Sequence, residues 1–119
     1  LSQSQLAQYL KNQSLQTIVH HSNPIGFIAY RIVMDDAELD QLLIETSWCR
    51  KGVGTSVMTA WHRLIKDQGV RAVFLEVREG NLVAIQLYRR LGYQVVGERK
   101  NYYHMGDHHE NAILMKAIL

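Results

Sequence analysis

Four groups of side chains in this sequence have types and spacings that chemistry can use. The first is Cys49-Arg50-Lys51-Gly52-Val53-Gly54-Thr55, where two cations precede two glycines one residue apart. If this run opens a helix, the first-turn N–H groups lack helical partners and the dipole presents its positive end, so the place attracts phosphate. Glycines let an anion approach the backbone, and the cations add Coulomb attraction. The same residues equally make a tight turn that only starts a helix, and a lone Gly-x-Gly weighs the two readings evenly. The spacing is neither that of a Walker loop nor that of the G-x-G-x-x-G dinucleotide fingerprint.

The second is Glu76, held between Leu75 and Val77 in a stretch that reads as a strand, where glutamate is a poor fit. It shares a face with Phe74 and Arg78, while the opposite face is wholly apolar. On pattern alone a solvated edge, or an ion pair with Arg78, is the simpler account. A carboxylate at the end of a parallel strand, beside a helix-start phosphate site, is also where a general base belongs. The third is Asn81 with Tyr88; Tyr88 lies two turns into a helix on the side of Ile85 and Leu91, a position that reads as core packing with one polar tip. The fourth is His104-Met105-Gly106-Asp107-His108-His109-Glu110. Its spacing matches no zinc pattern, so it reads as a polar surface loop and no metal is expected.

These groups need elements to hold them. Residues 1–13 carry Leu6, Tyr9 and Leu10 at helical spacing and predict a short amphipathic helix. Leu15 to His20 and Ile25 to Met34 read as paired strands across a Ser22-Asn23-Pro24 turn. Asp35-Asp36 is the next expected turn and Leu39 to Glu45 the next strand. The period then changes: Val53, Val57, Trp61, Leu64 and Ile65 predict a helix over 53–68, stopped by Gly69. A strand over 72–78, a helix over 82–91 ended by Gly92, and strands over 93–100 and 111–118 around a polar loop complete the order. The unit from 39 to 78 is expected to be a right-handed parallel β-α-β crossover. The fold class is therefore α/β (α+β), with a mixed sheet.

At 119 residues, 47% hydrophobic and 20% charged, the chain suits one domain over 1–119, since halves would be too small to hold a core. A single cysteine excludes an internal disulfide framework and points to a reducing cytoplasm. No apolar run approaches the roughly 20 residues of a membrane span, and no signal peptide is visible. A formal charge of +2 is too small for a general nucleic-acid binder, so neither nucleic acid nor membrane is an expected partner.

The order strand, x-x-Gly-x-Gly, helix, strand, Asn, then Tyr on the next helix resembles the GNAT (Gcn5-related) N-acetyltransferases, and the RimI-type ribosomal-protein-alanine N-acetyltransferases in particular. The resemblance rests on Leu75-Glu76-Val77-Arg78, Asn81 and Leu87-Tyr88-x-x-Leu91-Gly92-Tyr93. Arg99-Lys100-Asn101-Tyr102-Tyr103 and Glu110-Asn111-Ala112-Ile113-Leu114-Met115 complete it and are its more specific parts. It runs from about Gly26 to the C-terminus. It implies a GNAT fold with a mostly antiparallel central sheet and flanking helices, the family's first strand and first helix falling before Leu1, so that the sequence reads as a fragment. It implies acetyl-CoA as co-substrate, with the pantetheine arm along Leu42, Leu43 and Ile44 as an added strand. Arg50, Lys51, Gly52, Val53, Gly54 and Thr55 would hold the pyrophosphate, and Asn81 would contact the cofactor near its thiol end.

Glu76 is then the implied general base and Tyr88 the general acid, with Tyr102 and Tyr103 walling a slot for the acceptor. That acceptor is the N-terminal α-amine of a protein, alanine first, in a small-subunit ribosomal protein. Cys49 departs from the family, which usually has Gln or Arg there. Two rivals remain. One is an acetyltransferase of the same core acting on lysine side chains or a small amine. The other is a non-catalytic acyl-CoA-binding module, which would need neither Glu76 nor Tyr88.

Overall fold

The computed structural model describes residues 14–48 and 52–119. The helix expected over 1–13, and the loop residues Cys49, Arg50 and Lys51, lie outside the described residues. Strands β1 (Ser14–His20), β2 (Asn23–Val33) and β3 (Asp36–Ile44) form an antiparallel meander. Helix α1 (Val53–Asp67) leads to β4 (Ala72–Arg78), helix α2 (Leu82–Arg90) follows, and β5 (Gln94–Met105) and β6 (His108–Ile118) close the chain as a hairpin. The sheet runs β1-β2-β3-β4-β6-β5, and among the described strands only β3 and β4 pair in parallel. This is the expected mixed, mostly antiparallel α+β architecture.

Three expected turns sit elsewhere. The first falls at His21-Ser22, both with positive φ (47° and 69°), the geometry that matches strand twist in a two-residue hairpin. Asn23 and Pro24 already belong to β2, opposite His20 and Val19; a residue without an N–H is tolerated there because the register shifts between Ile18 and Val19. The second falls at Met34-Asp35, so β3 begins at Asp36, three residues before the expected Leu39. Ala37 and Leu39, both buried, already alternate with the exposed Asp36 and Glu38. The third correction is the largest. The polar loop expected over 101–110 is a continuation of β5 and β6, with Tyr103 opposite Glu110, His104 opposite His109, and only Gly106-Asp107 at the turn.

Both helices cover one face of the sheet. Met58, Trp61 and Ile65 of α1 and Tyr88 of α2 pack with Val73, Leu75 and Val77 of β4, Ile28 and Tyr30 of β2, and Met115 of β6. Burying each such side chain is worth about 1.5–3 kcal/mol. Phe74, Glu76 and Arg78 of β4 therefore face away from the helices, beside Lys116, Leu114 and Ala112 of β6.

Two features shape the middle of the sheet. Tyr30 pairs with Leu39 and Ala29 with Gln41, so Asp40 is an extra residue in β3, a bulge. The parallel ladder between β3 and β4 ends at that level, with Leu39 opposite Leu75, while β3 runs on to Ile44 beside β2 and β4 runs on to Arg78 beside β6. Holding the outer end of β3 against β2 requires Gly26, because a Cβ there would overlap the Leu43 carbonyl oxygen and lie 3.0 Å from Ile44 Cα. Gly26→Ala is expected to lower stability by more than about 2 kcal/mol, the range of a forced overlap with backbone. Chemical denaturation followed by circular dichroism checks this, and a midpoint equal to that of the parent would remove the close approach from the account.

Candidate active site

Where β3 and β4 part, a cleft of about 240 Å³ opens, lined by Asp40, Leu42, Glu76, Asn81, Tyr88 and Tyr103 among others. Glu76 projects from the face away from the helices and Tyr88 from a helix, yet both line it. Only a gap between strands gives both access to one space, so the cleft passes through the sheet. On the outer face it adjoins a larger cavity of about 520 Å³, lined by Glu38, Asp40, Glu76, Arg99, Tyr102 and Tyr103. Leu39, Asp40, Glu76 and Tyr103 line both spaces.

Glu76 is held by an ion pair, but not with Arg78. Arg99 Nε donates to its Oε1 at 2.8 Å, and the Arg99 guanidinium lies 5.6 Å from the Tyr102 ring centre. Arg78 instead donates from Nη1 to Glu110 Oε2 at 2.7 Å. Both outcomes follow from strand pairing: Arg99 and Arg78 both stand opposite Ala112 from either side of β6, so Arg78 reaches Glu110 on the adjacent β6 and Arg99 reaches across β6 to Glu76 on β4.

Tyr88 is 8% exposed, and burial pushes its phenol above the usual tyrosine range, so it keeps its proton across physiological pH. Its ring lies 5.6 Å from that of Tyr93, whose hydroxyl is hydrogen-bonded to His62 Nε2 at 2.7 Å. Tyr103, at the junction of the two cavities, is pushed upward by burial and then by the nearby Glu76 carboxylate. Asp40 is raised mainly by burial, against the lowering effect of Arg31 at 3.1 Å, and its Oδ2 is buried with no hydrogen-bond partner among the described residues.

The other expected site residues divide into those the cleft gathers and those it does not. Asn81 lines the cleft and also caps α2, accepting from the Ala84 N–H at 3.2 Å. Leu42, Leu43 and Ile44 form the part of β3 beyond the parallel ladder, with Leu42 in the cleft wall. Gly52 has φ 74° and stands at the N-cap of α1, and Val53, Gly54 and Thr55 form the first turn. Gly54 also has a packing role: a Cβ there would lie 3.2 Å from Leu87 Cδ2, so a small residue lets α1 approach α2. Arg50 and Lys51 lie outside the described residues. Tyr102 and Tyr103 reach the outer cavity through a register shift in β5 between Arg99 and Tyr103. Sequence reading missed Asp40. The only local trace is that the alternation of Asp36 to Asp40 stops at Asp40-Gln41, before the apolar run Leu42-Leu43-Ile44, which does not by itself mark a bulge. Among the described residues no group of three or more His, Cys, Asp and Glu is placed to hold a metal, and no helix is long and apolar enough to cross a membrane.

Residues 2–93 match the Acetyltransferase (GNAT) family, and the chain belongs to it. The chain is similar to the [ribosomal protein bS18]-alanine N-acetyltransferase of Haemophilus ducreyi, 33% identical over 98 residues, covering 82% of this chain and 68% of that protein. It is as similar to the enzyme of that name from Escherichia coli strain K12, 33% identical over 90 residues, covering 76% of this chain and 61% of the relative. The crystal structure of the ribosomal-protein-S18-alanine N-acetyltransferase from Escherichia coli superposes with a TM-score of 0.91 at 27% identity, over 99% of this chain and 77% of that one. The match thus spans about two thirds of the length of the curated relatives.

The packing behind Tyr88 carries a pH dependence. Burial lowers the pKa of His62 below the usual 6.5, so the folded chain holds a neutral imidazole where the unfolded chain binds a proton. Stability conferred by His62 is therefore fully present above about pH 6.5 and declines as pH falls from there toward the lower folded value. The chain is expected to lose denaturation midpoint as pH falls below about 6.5, and His62→Gln to flatten that slope. An identical slope in the variant would assign the loss to other groups.

Proposed function

We propose that this chain transfers the acetyl group of acetyl-CoA to the N-terminal α-amine of a protein, alanine first, in a small-subunit ribosomal protein. The observation that carries the reading is the cleft through the sheet. The start of α1 and Asn81 stand toward its helix side, and Glu76 with Tyr102 and Tyr103 on its outer side, so two substrates can meet from opposite faces. The acceptor named for the bS18-alanine relatives agrees with a slot walled by two tyrosines, which admits a chain end more readily than a lysine on a folded surface.

The steps follow from the groups present. The open first turn of α1 attracts the pyrophosphate, with Gly52, Val53, Gly54 and Thr55 at its N–H end and Arg50 and Lys51 preceding it in sequence. Leu42, Leu43 and Ile44 offer backbone to the pantetheine amides as a strand would. An α-amine has a pKa of about 8, so modest help frees its lone pair. Glu76, through a water, takes the proton as the nitrogen attacks the thioester carbonyl carbon, and backbone N–H groups at the Asp40 bulge hold the oxyanion. The C–N bond forms, the C–S bond breaks, and Tyr88, kept protonated by burial, gives its proton to the thiolate. Both products leave without a covalent enzyme intermediate.

Two sets of variants test this. Thr55→Glu adds a charge that suits the helix dipole but opposes phosphate. It is expected to keep the fold and weaken CoA binding by roughly tenfold or more by calorimetry, and unchanged affinity would move the phosphate site elsewhere. Glu76→Gln and Tyr88→Phe are each expected to lower kcat by about 10²-fold or more with acetyl-CoA binding near normal. The acceptor is read by mass spectrometry on three peptides: a free Ala N-terminus, the same peptide blocked at its N-terminus and bearing an internal lysine, and a free Leu N-terminus. Acetylation of the blocked lysine peptide at the rate of the free-Ala peptide would replace the N-terminal reading with lysine acetylation. A thermal shift with CoA but no thiol release from any peptide would make the chain a binding module.

A further inference from the structure

The crest of β5 that carries the acceptor-side tyrosines is not held by ladder hydrogen bonds. Arg99 stands opposite Ala112 and Tyr103 opposite Glu110, so Lys100, Asn101 and Tyr102 of β5 face the single residue Asn111 of β6. Asn101 has a positive φ of 53°, which an asparagine tolerates but a regular strand does not contain. Left to itself such an extrusion would sample many shapes, at about 1–2 kcal/mol of conformational entropy for each residue to be fixed.

Asn111 spans the gap with every kind of polar group it has. Its side-chain Oδ1 accepts the Asn101 N–H at 2.8 Å, at the crest of the bulge. Its Nδ2 donates to Glu98 Oε1 at 2.7 Å, at the bulge's shoulder. Its backbone N–H donates to Glu79 Oε1 and its backbone carbonyl accepts the Glu79 N–H, both at 3.0 Å, tying it to the end of β4 beyond Arg78. One residue thus joins the strand that carries Glu76 to the bulge that carries Arg99, Tyr102 and Tyr103, all of which line the outer cavity. The polarity of the clamp is also specified. An aspartate at this position could still accept from Asn101, but its carboxylate would face that of Glu98, with Glu79 a third carboxylate close by.

We infer that Asn111 is the positioning residue of the acceptor pocket, fixing the β5 bulge so that Arg99 reaches Glu76 and both tyrosines wall the slot. The inference rests on the outer cavity being the acceptor side, as proposed above. Asn111 touches neither the cleft nor the outer cavity, so it acts through the residues it holds.

The experiment uses the full chain with Asn111→Asp, Glu98→Gln and the double variant. In Asn111→Asp the KM for the free-Ala peptide is expected to rise roughly tenfold or more, with the KM for acetyl-CoA within about twofold. Adding Glu98→Gln restores a donor opposite the new carboxylate and is expected to bring the peptide KM back to within about threefold of the parent. Amide hydrogen exchange supplies a readout independent of turnover: Asn101 is protected in the parent, exposed in Asn111→Asp and protected again in the double variant, with core amides of β4 unchanged. Equal rises in both KM values, a peptide KM that does not move, or no recovery in the double variant would overturn the inference. If the parent acetylates none of the peptides, the acceptor reading fails on its own. The Asn101 amide then decides the clamp, and protection retained in Asn111→Asp overturns it.

Discussion

The structure depends on a ladder of parallel hydrogen bonds that stops partway. β3 and β4 are joined only from Asp36 opposite Ala72 to Leu39 opposite Leu75, and every feature of the site lies where that ladder ends. A sheet opened in its middle exposes backbone polar groups and interrupts the core, so the opening has to be held from both sides. On one side β2 grips the outer part of β3, which the bare Cα of Gly26 permits. On the other, β6 pairs with β4 along its whole length, from Ala72 opposite Ile118 to Arg78 opposite Ala112. The opening is thus a consequence of two strands each more firmly attached to its other neighbour.

The bulge at Asp40 falls at the same level and has the same origin. One extra residue bends β3 away from β4 and turns backbone groups toward the cleft. It also places a carboxylate where burial raises its pKa and one oxygen finds no partner among the described residues, an arrangement that costs stability. α2 completes the site from beneath: Asn81 caps it at the cleft, and two turns on Tyr88 rests against Tyr93, itself tied to α1 through His62.

Charge is distributed around the opening in ordered pairs: Arg31 with Glu38 and Asp40, Arg99 with Glu76, and Arg78 with Glu110. Partly exposed pairs of this kind add little stability, typically under about 1 kcal/mol each. Their effect here is geometric. Each arginine reaches to a carboxylate on another strand, and those on Asp40 and Glu76 hold side chains that line the cleft.

Taken alone, the sequence determined the elements whose period is strong. The run Val53, Val57, Trp61, Leu64, Ile65 marks a helix and 72–78 a strand because packing against one core demands those repeats. Glu76 was legible as a candidate because it breaks such a pattern, whereas Asn81 and Tyr88, the latter at a core-like position, gained roles only through the family resemblance. The largest misplacement falls where neither face is buried in an apolar core. The β5–β6 tip reads as a loop, since Tyr102 to His109 show no alternation, and only cross-strand pairing makes it a hairpin. The turns at His21-Ser22 and Met34-Asp35 were displaced because local turn preferences at Asn23-Pro24 and Asp35-Asp36 yield to the register of the sheet. Tertiary structure alone decided that Glu76 pairs with Arg99, that Asp40 enters the site, that Gly54 serves helix packing and that Asn111 clamps a bulge. Each of these depends on which residues stand opposite one another in neighbouring strands or helices, and register is set by the summed burial of whole faces, a quantity no local stretch of sequence contains.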